Sequence, residues 1–118
     1  MFFMSSVLQY IPKWSEFLGF VARLKPQLFV ICRHLSPDSL DKPILAAQMV
    51  NTPSGLAGES LIQLVSWRLV VDVMNGLGYR LVSTMVCGHP TLFGPARDKD
   101  FGITERLLVF ERKEGPTL

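Results

Sequence analysis

Residues 67–86 have the sequence WRLVVDVMNGLGYRLVSTMV, in which a helical pattern passes into a strand pattern across two glycines. The apolar residues of its first part follow the three- and four-residue spacing of an amphipathic helix: Val70, Val71, Met74 and Leu77. Ser66 precedes them, and its hydroxyl can accept a hydrogen bond from an otherwise unpaired amide of the first turn. The stretch therefore predicts a capped helix over residues 67–75.

The end of this helix is marked by glycine. Asn75-Gly76 and Gly78 can adopt the left-handed backbone conformation that stops a helix. Tyr79 follows, and we expect its ring to enter the core while its hydroxyl reaches water or a backbone group. Residues 80–86 are rich in β-branched side chains, which favours a strand. Gly76, Gly78 and Tyr79 are thus predicted to form a structural joint between a helix and a strand.

Apolar runs on both sides of this joint predict further strands. Residues 28–32 form a short, continuous, β-branched run that is typical of a core strand, and residues 61–65 and 106–111 predict two more. Residues 44–50 fit either a strand or a helix. Turn and loop residues separate these runs at the following positions: 36–38, 51–58 and 88–102.

The first 25 residues show a helical period of apolar residues: Phe3, Val7, Ile11, Trp14, Leu18 and Val21. Pro12 places the better helix at residues 13–24. This helix packs on the core of the chain, forms a protein interface or lies on a membrane surface. The predicted fold class is α+β: an antiparallel sheet with one or two helices on one face, plus this N-terminal amphipathic helix. The predicted organisation is an N-terminal helical segment, an α+β domain and a tail: 1–25, 26–113 and 114–118.

The composition narrows the class of protein. The chain has 118 residues, the size of one domain, with 48% hydrophobic and 19% charged residues. This apolar balance argues against disorder and favours a subunit interface or a membrane contact. A net charge of +2, with scattered basic residues, argues against nucleic-acid binding. Two cysteines, no basic leader and no apolar run of membrane-spanning length predict a cytoplasmic protein without a membrane span.

The second half of the chain resembles a known family. In residues 71–83 a helix ends at a glycine, an aromatic residue follows, and a strand begins. After a long loop, residues 104–112 have the pattern of a final strand. This arrangement resembles the C-terminal domain of the KCTD (potassium-channel tetramerisation domain-containing) proteins, especially the GABA-B receptor auxiliary subunits. It is also similar to the GTP cyclohydrolase feedback regulatory protein. The resemblance covers residues 60–113, and the long loop fits the KCTD version better.

This resemblance implies a non-enzymatic module for protein–protein interaction. It implies a homo-oligomer, as a five-fold ring, that presents loops to a signalling partner such as G-protein βγ or a receptor complex. The alternative is a regulatory subunit of a metabolic enzyme, with a small-molecule effector at the interface. Nothing in the chain matches the BTB domain of KCTD proteins, so BTB-dependent partners are not implied.

Two Cys-x-His pairs are the strongest candidates for chemistry, Cys32 with His34 and Cys87 with His89. Residues two apart on a strand point to one face, so neighbouring strands would assemble a Cys2His2 set suited to zinc. The alternative is two buried cysteines and two unrelated histidines, and the spacing is unlike that of most structural zinc sites. A nucleophilic site needs a third, orienting group that these pairs do not supply. We therefore expect no enzyme activity and no cofactor.

The glycine-rich loop at residues 88–102 is a candidate partner-binding loop. It carries two large apolar residues and a charge cluster: Leu92, Phe93, Arg97, Asp98, Lys99 and Asp100. Loops held by a rigid scaffold often contact partners, and exposed apolar residues can anchor them. The alternative is a solvated loop tip with the apolar residues tucked beneath it.

Overall fold

Strands predominate in the computed structural model, which describes residues 1–37, 44–51, 57–88 and 103–113. The strands are β1 (Phe2–Ser5), β2 (Leu28–Pro37), β3 (Ile44–Asn51), β4 (Ala57–Leu64), β5 (Tyr79–Gly88) and β6 (Ile103–Arg112). The helices are α1 (Trp14–Ala22), α2 (Trp67–Gly76) and a short 3₁₀ turn at Leu8–Tyr10.

The main sheet has four strands in the order β1-β2-β6-β5. Strand β6 runs antiparallel to both of its neighbours, whereas β1 pairs with β2 in parallel. Strands β3 and β4 form a separate antiparallel hairpin. The α+β prediction is confirmed, with the difference that the parallel β1 makes the sheet mixed.

One face of the main sheet is covered by both helices, and we call it the closed face. Side chains alternate along a strand, so Phe29 and Ile31 of β2 point to the same side as Leu108 and Phe110 of β6. They pack with apolar residues of the helices into one buried cluster: Trp14, Leu18, Val21, Val70 and Met74. A smaller cluster joins the hairpin to the sheet through Ile62, Leu64 and Ile103.

The N-terminal segment contains a helix within the predicted range, but it begins with a strand. Helix α1 matches the segment predicted at residues 13–24, and Trp14, Leu18 and Val21 are buried as expected. Residues 2–5 form a strand instead of a helix. Their backbone pairs with β2, and the Phe2 ring packs 4.9 Å from that of Phe29. Long-range pairing therefore outweighs the helical period of the sequence.

Three loop predictions also need correction. Ser36 and Pro37 belong to β2, where they pair with Thr104 and Ile103, rather than to a turn. Gly58 lies in β4 and Gly88 ends β5, so both strands reach further than predicted. The sequence of residues 44–50 fits either a strand or a helix, and in the structure these residues lie in strand β3.

Candidate functional site

Several predicted site residues lie outside the described residues. These are His89 and the whole partner-binding loop cluster: Leu92, Phe93, Arg97, Asp98, Lys99 and Asp100. Their assignment stays a prediction.

Among the described residues, the structure does not bring Cys87 together with Cys32 and His34. Strands β2 and β5 flank β6 on opposite sides, so they are not neighbours. Strand β2 also contains a bulge at Arg33, whose φ is 55°. The extra residue separates Cys32 from His34, so His34 is buried on the closed face, whereas Cys32 follows the inward-facing Ile31 and lies on the other side. Among the described residues, no group of three or more ligand-type side chains could hold a metal ion.

His34 holds the start of α2 instead. Its Nε2 donates to the carbonyl oxygen of Val65 at 2.7 Å, while the Trp67 amide donates to Ser36 Oγ at 2.8 Å. The Arg68 amide donates to Ser66 Oγ at 3.3 Å, so Ser66 caps the helix as predicted. These first amides are engaged within the chain, so this helix start is a docking point for β2 rather than an anion site.

The imidazole of His34 is kept neutral by its surroundings. Burial lowers the pKa of His34 to about 4, and the hydrogen bond to the Val65 carbonyl opposes this only in part. An imidazole that is 2% exposed and held neutral is a structural donor and has no access to substrate. His34 is thus part of the scaffold.

The predicted joint residues lie at the end of α2. Gly78 has a φ of +93°, a conformation that favours glycine, whereas Gly76 is the last residue of the helix. The Gly78 carbonyl accepts from the Lys113 amide at 2.8 Å. Tyr79 is buried, and its hydroxyl donates to the Pro26 carbonyl at 2.7 Å. The joint therefore ties α2, β5 and the end of β6 to the segment before β2.

The second face of the main sheet is apolar, and neither helix covers it. We call it the open face and define it by six residues that alternate with the core residues of the same strands: Phe3, Val30, Cys32, Met85, Leu107 and Val109. The Phe3 side chain is 58% exposed and Met85 is 55% exposed, while the central residues are half-buried between their strand neighbours. A contiguous apolar surface of this kind is typical of a protein contact.

Ion pairs lie near both ends of the open face. Arg33 Nε is 3.0 Å from Glu105 Oε1, and Arg80 Nη2 is 3.3 Å from Glu111 Oε2. The hydrogen bond and charge of Glu105 raise the pKa of Arg33. An apolar centre with a charged rim is the usual composition of a protein–protein interface.

The sequence does not reveal the open face, for two reasons. Its apolar period places Phe3 on a helix, and the continuous apolar run at residues 28–32 predicts a core strand. Such a run is correct evidence for two apolar faces. It does not reveal that only one face is covered within the chain.

Nothing matches this chain among the family models, the curated proteins or the solved structures. No helix of the described residues is long and apolar enough to cross a membrane.

Proposed function

We propose that this chain is a non-enzymatic module that associates with copies of itself and regulates a protein partner, in the manner of the KCTD C-terminal domains that it resembles. The observation that carries the proposal is the open face. Exposed Phe3 and Met85 flank half-buried Val30, Leu107 and Val109 on a sheet whose other face is already covered. Covering this surface would remove apolar area from water, which is favourable.

The scaffold beneath the face supports a binding role over a catalytic one. The described histidine, His34, is buried and donates to the Val65 carbonyl, so it is not a base for Cys32 on the other side of the sheet. The open face offers apolar contact and a charged rim. These groups hold a partner in place, and they supply no nucleophile–base pair.

The KCTD resemblance adds the finer parts of the proposal. It implies five chains in a ring, a cytoplasmic setting and a signalling partner, with residues 88–102 as the contact loop. Rings form through heterologous contacts, whereas a contact between the open faces of two copies would be isologous.

The experiment is the solution mass, measured by light scattering coupled to gel filtration over a concentration series. We expect a closed assembly that keeps its mass on dilution and exceeds the 13.2 kDa of one chain. A mass corresponding to a multiple of five chains would support the ring. A monomer at every concentration would contradict the proposal.

A further inference from the structure

The open face has a pattern of large and small side chains that repeats in opposite order. One row across the sheet runs Phe3, Val30, Val109, Ser83, because these residues pair in register. The next row begins with Ser5 beside Cys32 and ends with Leu107 beside Met85. The first row is thus large at the β1 edge and small at the β5 edge, and the second row is the reverse.

We propose that a second copy of this chain packs on the open face about a twofold axis that runs along the strands, between β2 and β6. This inference rests on the proposed self-association and names its surface. The rotation exchanges the β1 and β5 edges while keeping each row at its level. Phe3 of one copy then faces Ser83 of the second, Met85 faces Ser5, and Val30 faces Val109.

The matching of sizes is what identifies the occupant. Within these two rows, the exposed large side chains Phe3 and Met85 each meet a serine, so the two sheets can approach closely there without overlap. A twofold interface uses the same patch on both chains and must be complementary to itself. The two rows satisfy this condition, which a surface shaped for an unrelated partner has no reason to meet.

The charges near the rim obey the same symmetry. Arg33 lies on β2 and Glu105 on the adjacent β6, on either side of the proposed axis. The rotation places Arg33 of each copy toward Glu105 of the other copy. Opposite charges therefore approach twice, once on each side of the axis. Complementary charges of this kind fix the register of an interface more than its strength.

The size of the surface is adequate for a pair. One end of this side, at Leu35 and Ile103, is already packed against the hairpin. The remaining length of about 20 Å across four strands spaced by about 4.8 Å gives a flat area of roughly 400 Å². A stable interface buries about 800 Å² per partner, counted over all side-chain surfaces. Accessible area exceeds the flat area of a sheet because side chains project from it, so the two values are of the same order.

The test is a disulfide that can form only between copies. Within one chain, Phe3 and Ser83 lie on strands separated by three strand spacings, roughly 14 Å, beyond the limit of about 7 Å for a disulfide. We would make Phe3→Cys and Ser83→Cys in separate chains whose native cysteines are replaced, Cys32→Ala and Cys87→Ala. The two chains would be mixed, refolded together and oxidised.

The expected result is a cross-linked pair in the mixture, at least about tenfold more abundant than in either chain alone, because identical positions lie far apart across the axis. A matched control pairs Phe3→Cys with Asp72→Cys, an exposed position on α2. It should give only the background of accidental disulfides.

The outcomes separate this inference from the proposed function. Equal cross-linking in the mixture and in the single chains, or none above the Asp72 control, overturns the twofold pairing. If the unmodified chain still associates, self-association survives and uses another surface. If the unmodified chain is a monomer at all concentrations, the proposed function fails together with the pairing.

Discussion

The closed and open faces of the main sheet are built from the same strands, yet their side chains differ in how far they are buried. On β6, Leu108 and Phe110 are fully buried, whereas Leu107 and Val109 between them are only half-buried. On β1, Met4 is buried and Phe3 is 58% exposed. A strand that is apolar on both sides belongs in a sheet with two covered faces. The comparison shows that the two helices cover the closed face, while the apolar residues of the open face stay partly exposed.

The largest expected difference is between two neighbouring residues of β6. Phe110→Ala should lower the free energy of unfolding by about 3–5 kcal/mol, because it leaves a cavity among α2, β2 and β5. Val109→Ala, on the open face, should cost about 1 kcal/mol or less when the chain is dilute. Urea denaturation measures both. Equal losses would show that the open face is as covered as the closed one.

The pH dependence of stability tests the closed face at His34. The folded pKa of about 4 lies below the ordinary value of about 6.5, so the unfolded chain binds a proton between these values and the folded chain does not. This contribution is present above pH 6.5 and is lost as pH falls towards 4, by up to about 3 kcal/mol.

Urea denaturation at several pH values between 4 and 7 gives the slope. His34→Gln cannot gain a charge, so its stability should change less over this range than that of the unmodified chain. Parallel curves for the two proteins would mean that His34 titrates normally in the fold.

The smallest expected changes in stability concern the joint of Gly76, Gly78 and Tyr79 at the end of α2. Gly78→Ala should cost about 1–2 kcal/mol, because alanine resists the left-handed conformation even though no atom crowds a new Cβ. Gly76→Ala is the matched control. It lies in the helix, also with open space, and should gain up to about 1 kcal/mol. Thermal unfolding separates the two. Equal signs would remove the special role of Gly78.

The sequence predicts most of the local elements because their determinants are local. Ser66, the spacing of α2 and the glycines after it mark that helix, and the apolar runs mark β2, β4, β5 and β6. The strand at residues 2–5 escapes prediction because its pairing with Phe29 and Val30 is long-range. The prediction that Cys32 and His34 share one face of the strand is wrong, because the bulge at Arg33 reverses the side that the next residue faces. An arginine gives no sequence signal for a positive φ.

The central claim, that association uses the open face, is tested most directly by comparing two double variants by sedimentation equilibrium. Phe3→Lys with Met85→Lys places charges on two exposed residues of the open face, and Phe20→Lys with Leu24→Lys does the same on two exposed residues at α1. We predict that the first variant has half the mass of the unmodified assembly, because one twofold contact is lost, while the second keeps the full mass. A full mass for the Phe3 and Met85 variant would contradict the claim.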